Sequence, residues 1–159
     1  MRAAQVLAEL ALRGETLGVA ESLTGGELTS RLVDVPGASR VLRGAVVCYT
    51  SEVKAAVLGV SAELLSDRGA VDPKVAIAMA EGVCRVLASD WGVSTTGVAG
   101  PDPADGKAVG TAYVAVVRVG ARAQVRELHA TGDRAGVRQA VVQAALELLH
   151  ECVDPEEAR

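Results

Sequence analysis

The residues that are best suited to catalysis or ligand binding lie in segment 20–26, which reads Ala-Glu-Ser-Leu-Thr-Gly-Gly. It follows a short apolar run at 16–20 that is typical of a buried strand, and it precedes leucines at helical spacing. Ser22 and the paired glycines Gly25 and Gly26 therefore stand where a strand passes into a helix. Ligands of open α/β sheets bind at this end of the strands. Glycine amides and a helix N-terminus at this position favour an anion.

Ser22 becomes a nucleophile only if a base activates it, and no histidine falls in an expected strand-end loop. The remaining candidate bases are the lysines, Lys54, Lys74 and Lys107. Lys54 follows Tyr49 by five residues, and Tyr49 is the expected last residue of the second strand, at the same edge of the sheet. A desolvated lysine loses its proton more easily and then acts as a general base. Tyr49 is placed to relay a proton or to position the lysine.

A structural interpretation of the same residues stays open. In it Ser22 caps a helix, Lys54 is a solvated helix residue and Tyr49 anchors the end of a strand. Spacing alone slightly favours this structural interpretation over the catalytic one.

Ser51 and Lys54 also form the S-x-x-K pattern of penicillin-recognising enzymes. Segment 66–67, Ser-Asp, weakly resembles their second motif, but Lys-Thr-Gly is absent and the chain is short. Ser51 is explained as the N-cap of a short helix. We therefore regard this pattern as a poor indication of function.

Segment 97–107 resembles a phosphate-binding loop only superficially. Its glycines are one residue too far apart, and an alanine stands where Ser or Thr is needed. Asp102 and Asp105 would also repel a phosphate. We expect this glycine- and proline-rich segment to be an irregular loop that walls a pocket at the end of the third strand.

Further polar candidates are two threonines and two arginines. Alternation along the third strand sends the hydroxyl of either Thr95 or Thr96 towards the pocket. Arg134 and Arg138 lie one turn apart at the start of the last helix, where such a pair can clamp a phosphate or carboxylate. The alternative interpretation is that the threonines are good strand formers and the arginines a solvated edge.

Hydrophobic spacing and capping signals predict the elements that must position these residues. We expect helices at 2–13, 24–35, 51–58, 61–66, 73–89 and from 134 onward, and strands at 16–20, 44–49, 92–97, 110–119 and 124–130. The apolar strand 44–49 is expected to be covered on both faces. The short turn around 120–121 makes the last two strands an antiparallel hairpin. The predicted fold is a mostly parallel, mixed five-stranded sheet with helices on both faces.

Composition indicates one domain over 1–159, with an ordered core at about 3–150 and fraying from Pro155 onward. Hydrophobic residues make up 50% of the chain and aromatic residues only 2%, so the core is built from Val, Leu and Ala, as in helices packed on a mostly parallel sheet. The net charge of −4 argues against a nucleic-acid footprint. No apolar run is long enough for a membrane span, and no signal peptide is recognised.

The cysteines and histidines indicate neither a disulfide framework nor a metal site. Cys48, Cys84 and Cys152 are odd in number and form no C-x-x-C pair, and Cys48 is expected to be a core thiol. His129 and His150 have no second ligand at useful spacing. We expect a soluble protein of a reducing compartment, the cytoplasm, without a metal.

Several segments together resemble one family. They match in order as AESLTGG at 20–26, VPGAS at 35–39, RG at 43–44, YTSEVK at 49–54, LGV at 58–60, TTGVAGP at 95–101, VGT at 109–111, GDR at 132–134 and VR at 137–138. The chain resembles the CinA C-terminal domain family, nicotinamide-nucleotide amidase, over about residues 3–150. No nucleotide-binding N-terminal domain precedes the match, so we expect the stand-alone form.

The resemblance implies a three-layer α/β/α sandwich and deamidation of nicotinamide mononucleotide to nicotinate mononucleotide and ammonia. It implies Ser22 as nucleophile and Lys54 with Tyr49 as its activating groups, with neither metal nor cofactor. The positions that it implies for substrate binding are Thr24, Gly25, Gly26, Thr96, Gly97, Arg134 and Arg138. The turn amides at 24–26 would stabilise an oxyanion or hold the 5′-phosphate. The implied partner is a small nucleotide, with no nucleic acid and no membrane, and a homo-oligomer is compatible with the sequence.

Two departures from the family pattern bear on activity. The family usually has Asn where this chain has Ser51, and the loop after Pro101 is rich in proline and aspartate rather than glycine. A non-catalytic pyridine-nucleotide-binding or interaction domain of the same fold is therefore the alternative to the amidase.

Overall fold

The computed structural model describes residues 2–154, so that Pro155 and the charged end, for which fraying is expected, lie outside the described residues. Its helices and strands are α1 (Arg2–Arg13), β1 (Leu17–Glu21), α2 (Glu27–Val33), β2 (Leu42–Val47), α3 (Ser51–Leu58), α4 (Ala62–Arg68), α5 (Pro73–Leu87), β3 (Trp91–Gly97), β4 (Thr111–Arg118), β5 (Gln124–His129) and α6 (Arg134–Val153). A short 3₁₀ helix at Ala38–Arg40 precedes β2.

The strands form a sheet in the order β2-β1-β3-β4-β5. β1 pairs in parallel with both β2 and β3, whereas β4 pairs antiparallel with both β3 and β5. Four strands thus run in one direction and β4 alone runs against them. The predicted mixed sheet with a hairpin between its last two strands is confirmed.

Helices cover both faces of the sheet and make a three-layer α/β/α sandwich. One core lies between the sheet and α1, α2 and α6, where Leu17 and Val19 of β1 are buried. A second core lies under α3, α4 and α5 and includes Ala20 of β1. Because side chains alternate along a strand, β1 sends consecutive residues to opposite layers. This alternation decides where the residues after Ala20 point.

β2 corrects one prediction. It spans Leu42–Val47 rather than 44–49, and it is an edge strand in which half-buried and exposed residues alternate, so it is not covered on both faces. An edge strand lies beyond the centre of the helical layers, which leaves one set of its side chains in solvent. Cys48 follows the strand and is buried, as predicted for a core thiol.

Helix boundaries follow the predicted caps with two exceptions. Asp72 and Asp133 accept hydrogen bonds from the first turns of α5 and α6, as predicted. Thr50, not Ser51, caps α3, because the Thr50 hydroxyl accepts from the amide of Val53. Residues 24–26 form a turn ahead of α2 and are not its first turn.

Close contact between α5 and β3 depends on the absence of a side chain at Gly92. A Cβ placed there would lie 2.2 Å from the Ala80 carbonyl oxygen and 2.7 Å from the Cys84 sulfur. Neither the helix backbone nor a buried sulfur can move away cheaply, because interiors are close-packed. Gly92 therefore sets how deeply α5 packs on the sheet.

We predict that Gly92→Ala lowers the free energy of unfolding by about 1–3 kcal/mol or more, because it overpacks the α5–β3 contact. Urea unfolding followed by circular dichroism measures this loss. Val86→Ala, on the half-exposed side of α5, is the control and is expected to change stability far less. An unchanged unfolding midpoint for Gly92→Ala would show that α5 can shift away without cost.

Candidate active site

The candidate active site lies at the carboxyl edge of the three parallel strands. Ser22 follows β1 and is held by its amide, which donates to the Thr95 carbonyl of β3 at 3.1 Å. Cys48 follows β2, and its amide donates to the Glu21 carbonyl at 2.8 Å. The chain therefore continues sheet-like pairing past the strand ends. This pairing brings the residues after β1 and β2 side by side.

Lys54 of α3 reaches back to the strand ends and contacts Ser22. Its Nζ lies 3.0 Å from the Ser22 Oγ, 3.0 Å from the Cys48 carbonyl oxygen and 3.5 Å from the Tyr49 carbonyl oxygen. Lys54 is only 1% exposed and Ser22 only 7% exposed. A neutral lysine amine has two N–H donors for the two carbonyls and one lone pair that can accept the Ser22 proton. Both donors and the lone pair thus find partners when the lysine is uncharged.

Burial lowers the pKa of the Lys54 ammonium from its ordinary value of 10.5, because the charged form loses its hydration. The negative forms of Cys48 and Asp105 act in the opposite direction and raise that pKa. Within residues 2–154 no carboxylate forms an ion pair with Lys54. Burial therefore shifts Lys54 towards the neutral amine, the form that a general base requires.

Tyr49 takes a different position from the one expected of a proton relay. Its backbone carbonyl is a partner of Lys54, whereas its side chain is 56% exposed and its hydroxyl accepts from Arg134 at 2.7 Å. In the described part of the chain the Tyr49 hydroxyl has no hydrogen bond to Ser22 or Lys54. Tyr49 therefore positions the lysine through its backbone, and its phenol lies with Arg134 at the rim.

Ser22 and Lys54 both line a cavity of about 220 Å³. Thr96, Gly97 and Arg134 line this cavity, as do Asp102 and Asp105 of the loop at 98–109. The loop thus walls the cavity, as predicted from its composition. The buried Thr96 hydroxyl donates to the Ala70 carbonyl at 2.7 Å.

Two of the three turn amides expected to bind an anion, those of Gly25 and Gly26, are engaged within the protein and are not free to bind one. The Gly25 amide donates to the Ser22 carbonyl at 3.1 Å, and the Gly26 amide donates to the Glu21 carboxylate at 3.1 Å. The Thr24 hydroxyl is fully buried against the Thr95 hydroxyl at 2.7 Å. These three residues shape the turn, and none of them lines the cavity.

Glu21 is the residue that sequence reasoning missed. Its fully buried carboxylate accepts from the amides of Gly26, Leu28 and Thr29 at 2.9–3.1 Å and from the Thr29 hydroxyl at 2.5 Å. It therefore occupies the position of an anion at the start of α2. An acidic residue that ends a buried strand just ahead of a helix start was the available signal.

The two arginines at the start of α6 have separate roles. The Arg134 guanidinium lines the cavity and donates to the Gly100 carbonyl and the Tyr49 hydroxyl. Arg138 instead donates to the carbonyls of Leu23 and Thr24, both at 2.9 Å. Arg138 thus holds the Ser22 turn from outside the cavity, and the predicted two-arginine clamp does not form.

Ser51 lies outside the cavity. It is the first residue of α3 and is half-buried. Ser51 is also not among the hydrogen-bond partners of the Lys54 amine, which are Ser22, Cys48 and Tyr49. The serine paired with Lys54 is therefore Ser22, which disfavours the S-x-x-K interpretation.

Residues 2–154 contain no cluster of side chains that could hold a metal ion. The same residues contain no helix long and apolar enough to cross a membrane.

Comparisons with known proteins agree on one family. The family model described as CinA C-terminal domain matches residues 1–153. A CinA-like protein of Frankia casuarinae is 46% identical over 144 residues, which is 91% of this chain and 33% of that protein. A CinA-like protein of Gloeobacter violaceus is 49% identical over 138 residues, 86% of this chain and 32% of that protein. The chain thus spans about a third of the length of these relatives.

Solved structures share the fold over nearly their whole length. A competence-damaged protein (CinA) superfamily protein of Klebsiella pneumoniae superposes with a TM-score of 0.91 at 30% identity, covering 96% of this chain and 95% of that one. The competence/damage inducible protein CihA of Agrobacterium tumefaciens superposes with a TM-score of 0.89 at 31% identity, covering 93% and 91% of the two chains.

We predict that Glu21→Ala lowers the free energy of unfolding by about 3 kcal/mol or more, because it leaves three amides of the α2 start without an acceptor. Glu21→Gln keeps one acceptor oxygen and is expected to lose less. Chemical unfolding of both variants measures the difference. Equal stability of Glu21→Ala and the parent protein would mean that water replaces the carboxylate at no cost.

Proposed function

The chain belongs to the CinA C-terminal domain family, and from this premise we propose that it hydrolyses the carboxamide of nicotinamide mononucleotide to nicotinate mononucleotide and ammonia. The observation that carries the proposal is the buried 3.0 Å contact between the Lys54 amine and the Ser22 hydroxyl. A serine paired with a desolvated lysine is a nucleophile with its own base, which suits acyl transfer from an amide.

In the first half of the reaction the neutral Lys54 amine takes the proton from Ser22, and the Oγ attacks the carboxamide carbon. The resulting ammonium of Lys54 then gives its proton to the departing nitrogen, which leaves as ammonia. An ester between Ser22 and the nicotinate acyl group remains. In the second half Lys54 takes a proton from water, and the hydroxide attacks the ester carbon. The Ser22 oxygen leaves and takes the proton back from Lys54, which regenerates both groups. The nicotinic acid formed releases its proton to solvent and departs as the carboxylate.

The backbone amide of Leu23 is the proposed donor to the oxyanion. Leu23 directly follows the nucleophile and lines the cavity. Its amide forms no hydrogen bond within residues 2–154, whereas the amides of Gly25 and Gly26 are already engaged. An unused donor next to the reacting carbon stabilises negative charge as it develops on oxygen.

The size of the cavity suggests which end of the nucleotide enters it. At about 220 Å³ it is smaller than the roughly 300–1,000 Å³ of common ligand pockets. We place the pyridine ring and its carboxamide inside, and the ribose and 5′-phosphate at the mouth. The exposed Arg134 guanidinium at the rim is the proposed phosphate partner.

We predict that Ser22→Ala lowers kcat/KM for ammonia release by at least about 10³-fold, because it removes the nucleophile. Lys54→Met, which keeps the side-chain length, is expected to lower it about 10²- to 10⁴-fold. Ammonia release from nicotinamide mononucleotide, coupled to an optical assay, measures both losses.

Ser51→Ala is the matched control and is expected to leave kcat/KM unchanged, because Ser51 lies outside the cavity. If Ser22→Ala and Lys54→Met keep full turnover, the mechanism is wrong. If Ser51→Ala alone abolishes turnover, the S-x-x-K interpretation returns. Absence of turnover in the parent protein, together with thermal stabilisation by the nucleotide, would favour the non-catalytic binding domain.

The pH dependence of the rate is expected to follow Lys54. Only the neutral amine accepts the Ser22 proton, so kcat/KM rises as the pH increases through the folded-state pKa of Lys54, which burial lowers below 10.5. Asp105→Asn removes a charge that raises this pKa, so the rising limb should move to lower pH. A pH–rate profile of both proteins measures the shift. A limb that moves to higher pH would contradict Lys54 as the base.

A further inference from the structure

The charges around the cavity do not balance once the reaction is ready to begin. Its ionisable lining side chains, apart from the tyrosine, are Lys54, Asp102, Asp105 and Arg134. The proposed mechanism requires Lys54 to be neutral, and burial favours that form. Two carboxylates then face one guanidinium at the rim. The cavity that receives the reacting ring is therefore negative by one charge.

The two carboxylates are not neutralised by neighbouring side chains. Within residues 2–154 neither Asp102 nor Asp105 forms an ion pair. Asp105 accepts one hydrogen bond, from the Ala70 amide at 3.0 Å, and that donor is uncharged. The field of Asp105 reaches Lys54, at the centre of the site. Both negative charges therefore remain available to a ligand.

Such a cavity distinguishes two kinds of aromatic amide. A nicotinamide ring joined to ribose through its ring nitrogen carries a positive charge, whereas a carbon-linked benzamide ring of the same shape is neutral. A positive ring gains Coulomb energy in a cavity that is negative by one charge, whereas a neutral ring gains none.

We propose that Asp102 and Asp105 are specificity-determining residues that select cationic ring amides over neutral ones of the same shape. This inference rests on the proposed function, because it takes the nucleotide amide as the ligand. It also explains why an acidic loop lines a site whose ligand carries a phosphate: the carboxylates lie beside the ring, and the phosphate lies at Arg134.

Asparagine variants separate this charge effect from the structural role of the loop. Asp105→Asn keeps a carbonyl oxygen that can accept from the Ala70 amide and removes the charge. Asp102→Asn does the same at the second position. Asp34→Asn, at the end of α2 and outside the cavity, removes an equal charge elsewhere and is the matched control.

Binding is measured by calorimetry in the Ser22→Ala background, so that the ligand is not consumed. The two ligands are nicotinamide mononucleotide and the C-nucleotide in which a neutral benzamide ring replaces the pyridinium. For a solvent-accessible pair of charges we expect each of Asp102→Asn and Asp105→Asn to weaken binding of the cationic ligand about two- to fivefold. Binding of the neutral ligand and all binding by Asp34→Asn should stay unchanged. Added salt should reduce the preference for the cationic ligand.

The inference is overturned if the asparagine variants weaken both ligands equally or weaken neither. Turnover of both nucleotides by the protein with Ser22 intact then tests the proposed function separately. A charge-dependent binding preference without ammonia release would retain the inference and reject the amidase. Ammonia release with no change in the ligand preference would retain the amidase and reject the inference.

Discussion

The burial of the Lys54 amine is the constraint on which the site depends. An ammonium held away from water and without a carboxylate partner is costly, so the fold favours the neutral amine. Two backbone carbonyls and the Ser22 hydroxyl satisfy that amine, and all three belong to the segments that follow β1 and β2. The same burial that would destabilise a charged lysine therefore makes it a base. By linkage, the contribution of Lys54 to stability becomes more favourable as the pH rises from its folded pKa towards 10.5.

Because side chains alternate at the end of β1, one residue there stabilises the turn and the next residue carries the proposed chemistry. Glu21 points to the layer that contains α2 and binds the amides at the start of that helix. Ser22, the next residue, points to the opposite layer and meets Lys54 of α3. The backbone amides at the start of α2 thus donate to a carboxylate of the same chain, and they are not free to bind a phosphate. Arg138 completes the support by holding two carbonyls of the turn.

Residues from distant segments line the cavity, with the nucleophile and base on one side and an acidic loop on the other. This arrangement suits the proposed amidase. The nucleophile follows β1 and the base lies on α3, whereas the acidic wall comes from the loop between β3 and β4. Asp105 of that loop accepts from the Ala70 amide, and Thr96 of β3 donates to the Ala70 carbonyl, so Ala70 connects the loop to the end of β3.

The sequence by itself determined the family, the order of elements and the hairpin of β4 and β5, because periodicity, caps and local motifs are encoded over short distances. It named Ser22 and Lys54 as candidates but did not decide that their side chains meet. It did not determine that β2 is an edge strand, because strand order depends on which helices pack on which face. Nor did it determine that Glu21 fills the helix start, that Arg138 supports the turn while Arg134 lines the cavity, or that the phenol of Tyr49 lies away from Lys54. For the two arginines and Tyr49 this depends on the direction of a side chain relative to a distant segment, and for Glu21 on which layer the end of β1 faces. Only the packing of the three layers decides that direction.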